Sequence, residues 1–442
     1  MKRIIKFLAL ALALSLLLSA CSSQQPRRQA LDRQQSMTLA QKHTQMLTDG
    51  EYDALVEEFR PEIKGQLDSR TLSRAWRQMT QATGRYQSVH SMEYSDTDGV
   101  AVVLVKLKCE NGGVALTLSY DAEGKLAGLW LNTAQLEEYR PQSTDSYTET
   151  EITVGEMGLK GILTTPKGAD SYPVAVLLQG SGQTDFNETI GPNRPFMEIA
   201  HRLAEKGIAS VRVNKRFFQF QDMAAEETLT IYNEYMDDIY ARIDWAKENV
   251  SEDVYVIGHS QGGMSAPKIA LDNDVKGVVM MAGSIRGLED IIYDQNMAAL
   301  EKMTDISRRD KQRMTQQIQD AVRQVKSLTA DNGESILGVP ASYWFSLKDL
   351  NRADILKNQL EIPVLIMQGT ADFQVYYDKD YHYMQQELSG NDNIIFKEYE
   401  GLNHLFMPQA LPGVIDTSEY MTLNHIPSQV TDDIAAFING EK

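Results

Sequence analysis

Gly258-His259-Ser260-Gln261-Gly262 has the pattern G-x-S-x-G and lies between a β-like run, Val254 to Ile257, and a stretch of helical character. In that setting the glycines let strand and helix approach closely, and the serine between them is pushed out into open space. Ser260 is therefore the candidate nucleophile. A serine hydroxyl is a poor nucleophile at neutral pH, so acyl transfer also requires a base to take its proton and an acid to orient that base.

Both types occur downstream. The run Ile362 to Gly369 reads as a buried parallel strand, and Asp372 follows in the turn Gly369-Thr370-Ala371-Asp372. After a further strand-like segment, Ile394 to Tyr399, the loop Gly401-Leu402-Asn403-His404-Leu405-Phe406 presents His404. Loops at the C-terminal ends of strands are where open α/β sheets bind ligands, which makes Asp372 and His404 the candidate acid and base. His425, in Asn424-His425-Ile426-Pro427, is the rival base, and Asp378 and Asp380 are rival acids set deeper in the next helix.

A tetrahedral intermediate also needs two backbone N–H donors. The elbow supplies that of Gln261. The apolar run Val174 to Leu178 leads into Gln179-Gly180-Ser181-Gly182, which supplies that of Ser181. No G-x-G-x-x-G follows that strand, and neither a Cys/His cluster nor a His-Glu-x-x-His spacing occurs, so no cofactor and no catalytic metal are expected.

Taken together, Gln179 to Gly182, Gly258 to Gly263, Gly369 to Asp372 and Leu402 to Phe406 resemble the α/β-hydrolase superfamily, in its bacterial serine esterase and aminopeptidase-like branch, from about Glu151 to the end. The order Ser, Asp, His is the one that superfamily uses. The resemblance implies carboxylic-ester hydrolysis through an acyl-enzyme, with Ser260, His404 and Asp372 as triad. The chain departs from the pattern at Gln179, where His is usual, and at Arg212-Val213-Asn214-Lys215-Arg216-Phe217, where Arg-Tyr-Asp-Lys-Arg-Gly is usual. With Phe218 and Phe220, Phe217 bears on the shape of the pocket rim.

The elements that must position these residues form an α/β fold: a mostly parallel, doubly wound sheet over residues 148–442. Val275 to Ala282 reads as the strand after the nucleophile helix, yet the next begins only near Ile362. Between them Ile291, Met297, Leu300, Met303, then Met314, Ile318, Val322 and Val325 recur at helical spacing, which predicts a helical cap over about 287–358. Tyr343-Trp344-Phe345 near its end is expected to form an apolar pocket wall.

Residues 36–140 differ in character. Leu39, His43, Leu47, Leu55 and Phe59 have helical spacing, and four short strands between Tyr86 and Leu131 are separated by Asp-Gly, Asn-Gly-Gly and Glu-Gly turns. Helices followed by a meander predict a small α+β domain, and its order and placement resemble a cone-shaped domain of unknown function found ahead of secreted hydrolases. The polar stretch Arg140 to Ser146 reads as the domain boundary, so the hydrolase portion is expected to fold without the first domain.

At the N-terminus, basic Met1 to Lys6, apolar Phe7 to Leu18 and Leu18-Ser19-Ala20-Cys21 resemble a lipoprotein signal over 1–20. That implies cleavage before Cys21, lipidation there, a flexible tether over 21–35 and an extracytoplasmic enzyme held at the bacterial cell membrane. Only Cys109 would remain as a thiol, leaving no intrachain disulfide. Loss of Lys2, Arg3 and Lys6 with the signal takes the formal charge from −18 to −21, which argues against nucleic acid as a partner. The expected partners are a small-molecule ester of small to medium acyl chain and, through the lipid, a membrane. The competing readings are a peptidase or acyltransferase on the same triad, and a non-catalytic binding lipoprotein on the same scaffold.

Overall fold

The computed structural model describes residues 30–441 apart from 65–66, 98, 135, 137–138, 221–228, 304–306 and 411–416. The segment read as a signal, most of the tether and Cys21 lie outside the described residues.

The described residues open with helix Arg33–Asp49, capped by the Asp32 carboxylate on the Gln34 and Gln35 amides and closed by Gly50 at φ 81°. The last residues read as tether, Arg33 to Gln35, thus form its first turn. Helices Tyr52–Glu57 and Ser69–Thr83 follow. They pack against an antiparallel meander of β1 (Tyr86–Thr97), β2 (Val100–Cys109), β3 (Gly112–Tyr120) and β4 (Leu126–Ala134). Alternation in β2 buries Ala101, Val103, Val105, Leu107 and Cys109 against Leu47, Leu55, Leu72 and Trp76 of the helices. His43 lies in that core, 3.1 Å from the Tyr120 hydroxyl, and burial pushes its imidazole down to about 4.

The second sheet has eight strands. β5 (Tyr147–Val154), β6 (Leu159–Pro166), β7 (Val174–Leu178), β8 (Ala209–Val213), β9 (Val254–His259) and β10 (Gly277–Met281) precede the insertion, whose hairpin is β11 (Ser335–Ile336) with β12 (Val339–Pro340). β13 (Val364–Gly369) and β14 (Ile394–Tyr399) complete it in the order β14-β13-β10-β9-β7-β8-β6-β5. The pairs from β14 to β8 are parallel, and β6 with β8 and with β5 is antiparallel.

β7 and β10 carry no polar side chain because both faces of the sheet are covered there. In β7, Val174, Val176 and Leu178 point to one layer, with Ile239 and Ile243 of helix Asp237–Asn249 and Ile269 of helix Gln261–Asp272. Ala175 and Leu177 point to the other, with Phe196, Ile199 and Leu203 of helix Pro195–Glu205 and Val430 and Ile434 of helix Ser428–Ile438.

The insertion between β10 and β13 carries helices Leu288–Lys302 and Arg308–Ser327, which bury Leu300, Met314, Ile318 and Val322 in a small core of their own. A second small core holds Ile292, Val325, Leu328, Ile336 and Trp344. The end of the segment read as cap behaves differently: Leu350, Ile355 and Leu356 join the main core beneath the sheet. The separate helical body therefore stops before Leu350.

Candidate active site

Five strand ends, those of β7, β8, β9, β13 and β14, supply most of the candidate site, all at the C-terminal edge of the parallel strands. Ser260 follows β9 directly, with φ 52° and ψ −114°, a backbone conformation that L-residues rarely hold. The turn closes only because its glycines have no side chain. A Cβ on Gly258 would stand 2.3 Å from the Gly262 carbonyl, and one on Gly262 would stand 2.2 Å from the Leu178 carbonyl oxygen. The hydroxyl of Ser260 has no hydrogen-bond partner among the described residues.

His404 and Asp372 meet although 32 residues separate them: His404 Nδ1 donates to Asp372 Oδ2 over 2.7 Å, and both side chains are buried. That bond fixes the tautomer and leaves Nε2 as the accepting nitrogen. The Asp372 carboxylate also accepts from the Gln374 and Val375 amides at 2.8 and 3.0 Å and from the Gln368 side chain at 2.9 Å. It is thereby kept from rotating. Asn403 steadies the histidine loop by accepting from the Leu405 and Met407 amides while donating to Glu419 at 2.7 Å.

The rivals sit elsewhere. His425 is mostly exposed and pairs with Glu198 at 2.9 Å. Asp380 is buried between Ser284, Arg286 and the Tyr376 amide, and burial pushes its carboxyl up. Asp378 is exposed, 3.8 Å from His382.

The Ser181 and Gln261 amides engage no acceptor among the described residues. Gln179, the departure from the usual His, is fully buried and satisfied. Its amide nitrogen donates to the Asp185 and Val213 carbonyls at 3.2 and 2.6 Å, and its oxygen accepts from Arg242 at 2.9 Å. It anchors the loop from beneath. Phe217 is buried and Phe220 packs against the main core, which leaves Phe218 exposed at the surface.

Of Tyr343-Trp344-Phe345, only Tyr343 reaches the site. Its hydroxyl accepts from Gln261 Nε2 at 2.6 Å and donates to Glu234 at 3.1 Å. The expected apolar wall is corrected accordingly. Trp344 is buried in the core of the insertion, donating to the Ile336 carbonyl at 2.9 Å, and successive residues of a helix turn by about 100°, which carries Phe345 to the exposed side.

Two charged groups were not evident from the residue order. Glu188, at φ 52°, accepts from the Gly180 amide and, at 2.9 Å, from His259 Nδ1. The other nitrogen of His259 donates to the His404 carbonyl at 2.9 Å. Burial alone would push the His259 imidazole down. The charge and bond of Glu188, the His404 carbonyl and Asp372 outweigh it and hold His259 above the usual histidine value. Lys215 is buried against Gly180, Gln261 and Glu234. Its place at the end of a strand in Arg-Val-Asn-Lys-Arg was a usable signal, whereas nothing in the sequence around Glu188 marks it.

Residues 193–408 match the family described as serine aminopeptidase, S33, and residues 40–129 match a family described as a protein of unknown function, DUF3887. Among curated proteins, Esterase EstD of Thermotoga maritima is 34% identical over 399 residues, spanning 89% of this chain and 93% of its own length. Among solved structures, ferulic-acid-bound Est1E of Butyrivibrio proteoclasticus aligns with TM-score 0.39 and 16% identity over 69% of this chain and 99% of that one. The Pyrococcus furiosus esterase Pf2001 aligns with TM-score 0.40 and 15% identity over 66% of this chain and 90% of that one. On identity of this order across nearly the full length of both chains, the chain belongs with Esterase EstD to the α/β-hydrolase superfamily.

Proposed function

We propose that this protein is a serine carboxylesterase acting on esters of small to medium acyl chain. The observation that carries the reading is the short bond between His404 and Asp372 below the loop ends that also present the strained Ser260. Esterase EstD, by its name an esterase, supports the choice of ester over other acyl compounds.

In this reading His404 Nε2 takes the Ser260 proton as Oγ attacks the ester carbonyl, and the negative oxygen is held by the Ser181 and Gln261 amides. Collapse breaks the bond to the alcohol, which leaves with the proton from His404. Water, activated by the same nitrogen, then hydrolyses the acyl-enzyme and restores Ser260. Asp372 orients the imidazole and balances its charge while it is protonated. The serine aminopeptidase description of the matching family favours an amide-cleaving variant of this sequence as the second reading.

Ser260→Ala is expected to abolish turnover, with loss of fluorophosphonate labelling and an unchanged thermal midpoint. A panel of esters of graded acyl length, with aminoacyl amides alongside, separates the two readings. Survival of more than a few per cent of esterase activity in the alanine variant would sink the assignment of Ser260.

A further inference from the structure

Gly180 C=O and Ser181 N–H belong to one planar peptide and point in opposite directions. Whatever binds that carbonyl therefore sets the aim of the Ser181 N–H. Lys215 Nζ donates to the Gly180 oxygen at 3.0 Å and to Gln261 Oε1 at 3.4 Å, and it lies 3.1 Å from Glu234 Oε1. An ammonium has three donors, and here all three have an acceptor. The side chain is only 3% exposed, and its nitrogen stands 4.6 Å from the centre of the Tyr235 ring. Gly180 is gripped from its other end too, because its own N–H donates to Glu188.

We propose that Lys215 is a positioning residue of the oxyanion hole. Its ammonium holds the Gly180–Ser181 peptide with the Ser181 N–H aimed at the developing oxyanion. Through the Gln261 side chain it also steadies the first turn of the helix that carries the second donor. A buried positive charge on a peptide carbonyl polarises the whole unit, which makes the N–H at its far side a stronger donor. That gain grows as negative charge builds on the substrate oxygen, so it lowers the barrier more than it tightens substrate binding. Lys215 neither gains nor loses a proton in the process. Glu234, braced by Tyr343 and Gln261, keeps the ammonium in place. The inference rests on the Ser260, His404 and Asp372 reading.

The test uses the full chain with Lys215→Met, a small activated ester, and an alkylboronic acid that forms a tetrahedral anionic adduct on serine. The expected result is a roughly 10–100-fold lower kcat with KM within about threefold, and a boronate Kd raised by a similar factor. A purely structural lysine would instead raise KM and lower the thermal midpoint with no selective loss of boronate affinity. The proposal is overturned if kcat and boronate affinity both stay within about threefold of the parent, or if kcat falls while boronate affinity holds. Should Lys215→Met fail to fold, Lys215→Gln, which keeps a donor for the Gly180 carbonyl but no charge, decides the matter. About a tenfold loss in kcat is expected there, and full activity overturns the proposal. Failure of the triad reading looks different: Ser260→Ala would stay active and the parent would form no boronate adduct.

Discussion

At the scale of single residues, much of the candidate site depends on side chains whose importance no spacing rule reveals. His259 faces an acceptor from each ring nitrogen, an arrangement that favours the doubly protonated ring. Its protonation is linked to folding. Because the folded value is raised, the stabilisation is complete below the unfolded value of about 6.5 and is lost as pH climbs through the folded one. Glu188→Gln removes the opposing charge and leaves burial to favour the neutral ring. Denaturant midpoints measured from pH 6 to 9 are expected to decline for the parent and to stay nearly flat for the variant, and parallel profiles would exclude the linkage. The places of Ser260, Asp372 and His404 just beyond strand ends were legible because each strand is announced by its own apolar residues. Glu188 was not, since it reaches the site from an irregular loop and is defined only by what folds around it.

At the scale of elements, the strands were the most legible part, because uninterrupted apolar runs and Asn-Gly or Asp-Gly turns leave few alternatives. The insertion was legible as helical but not in how it divides. Helical spacing says that a face is buried without saying against what, and Leu350 and Ile355 bury theirs in the main core. Polarity alone says little about how the boundary between domains is held. Arg140 to Ser146 is polar, yet the segment is tied down: the Tyr139 hydroxyl at 2.6 Å and the Gln142 amide at 2.8 Å both donate to Glu149 of β5. Glu149 also takes His201 and the buried Arg212 as partners. Burial opposes its ionisation, but those donors outweigh it and hold the carboxyl at about 2. A fragment beginning at Tyr147 loses two bonds to a buried carboxylate, worth roughly 1.5–3 kcal/mol each. It is expected to melt well below a fragment that begins before Tyr139. Equal melting temperatures for the two fragments would show that the Tyr139 and Gln142 bonds add nothing.

At the scale of the whole molecule, the chain joins two cores that share no strand, with 61 acidic against 43 basic side chains overall. Among the described residues no helix is long and apolar enough to cross a membrane. We propose that attachment comes through lipid on Cys21, on the strength of the small residues and the apolar run before it. Cys21→Ser is expected to move the protein from the membrane fraction to the soluble one, or to leave it unprocessed, with kcat/KM unchanged. The mass of the mature N-terminus checks this directly, and a free Cys21 thiol would refute it. A surface of this sign repels anionic headgroups, so little residual adhesion is expected once the lipid is gone.

One carboxylate joins three loops that are far apart in the chain. Glu188 takes the Gly180 amide and the His259 ring, and His259 passes the connection to the backbone of His404. For anyone recombining this scaffold with a homologue, the loops after β7, β9 and β14 are therefore one heritable unit. A graft of the β7 loop from a donor that lacks the acid, or of the β9 turn from one that lacks the ring, would strand a buried charge, whereas helices Leu288–Lys302 and Arg308–Ser327, which keep a small core of their own, are the easier part to exchange.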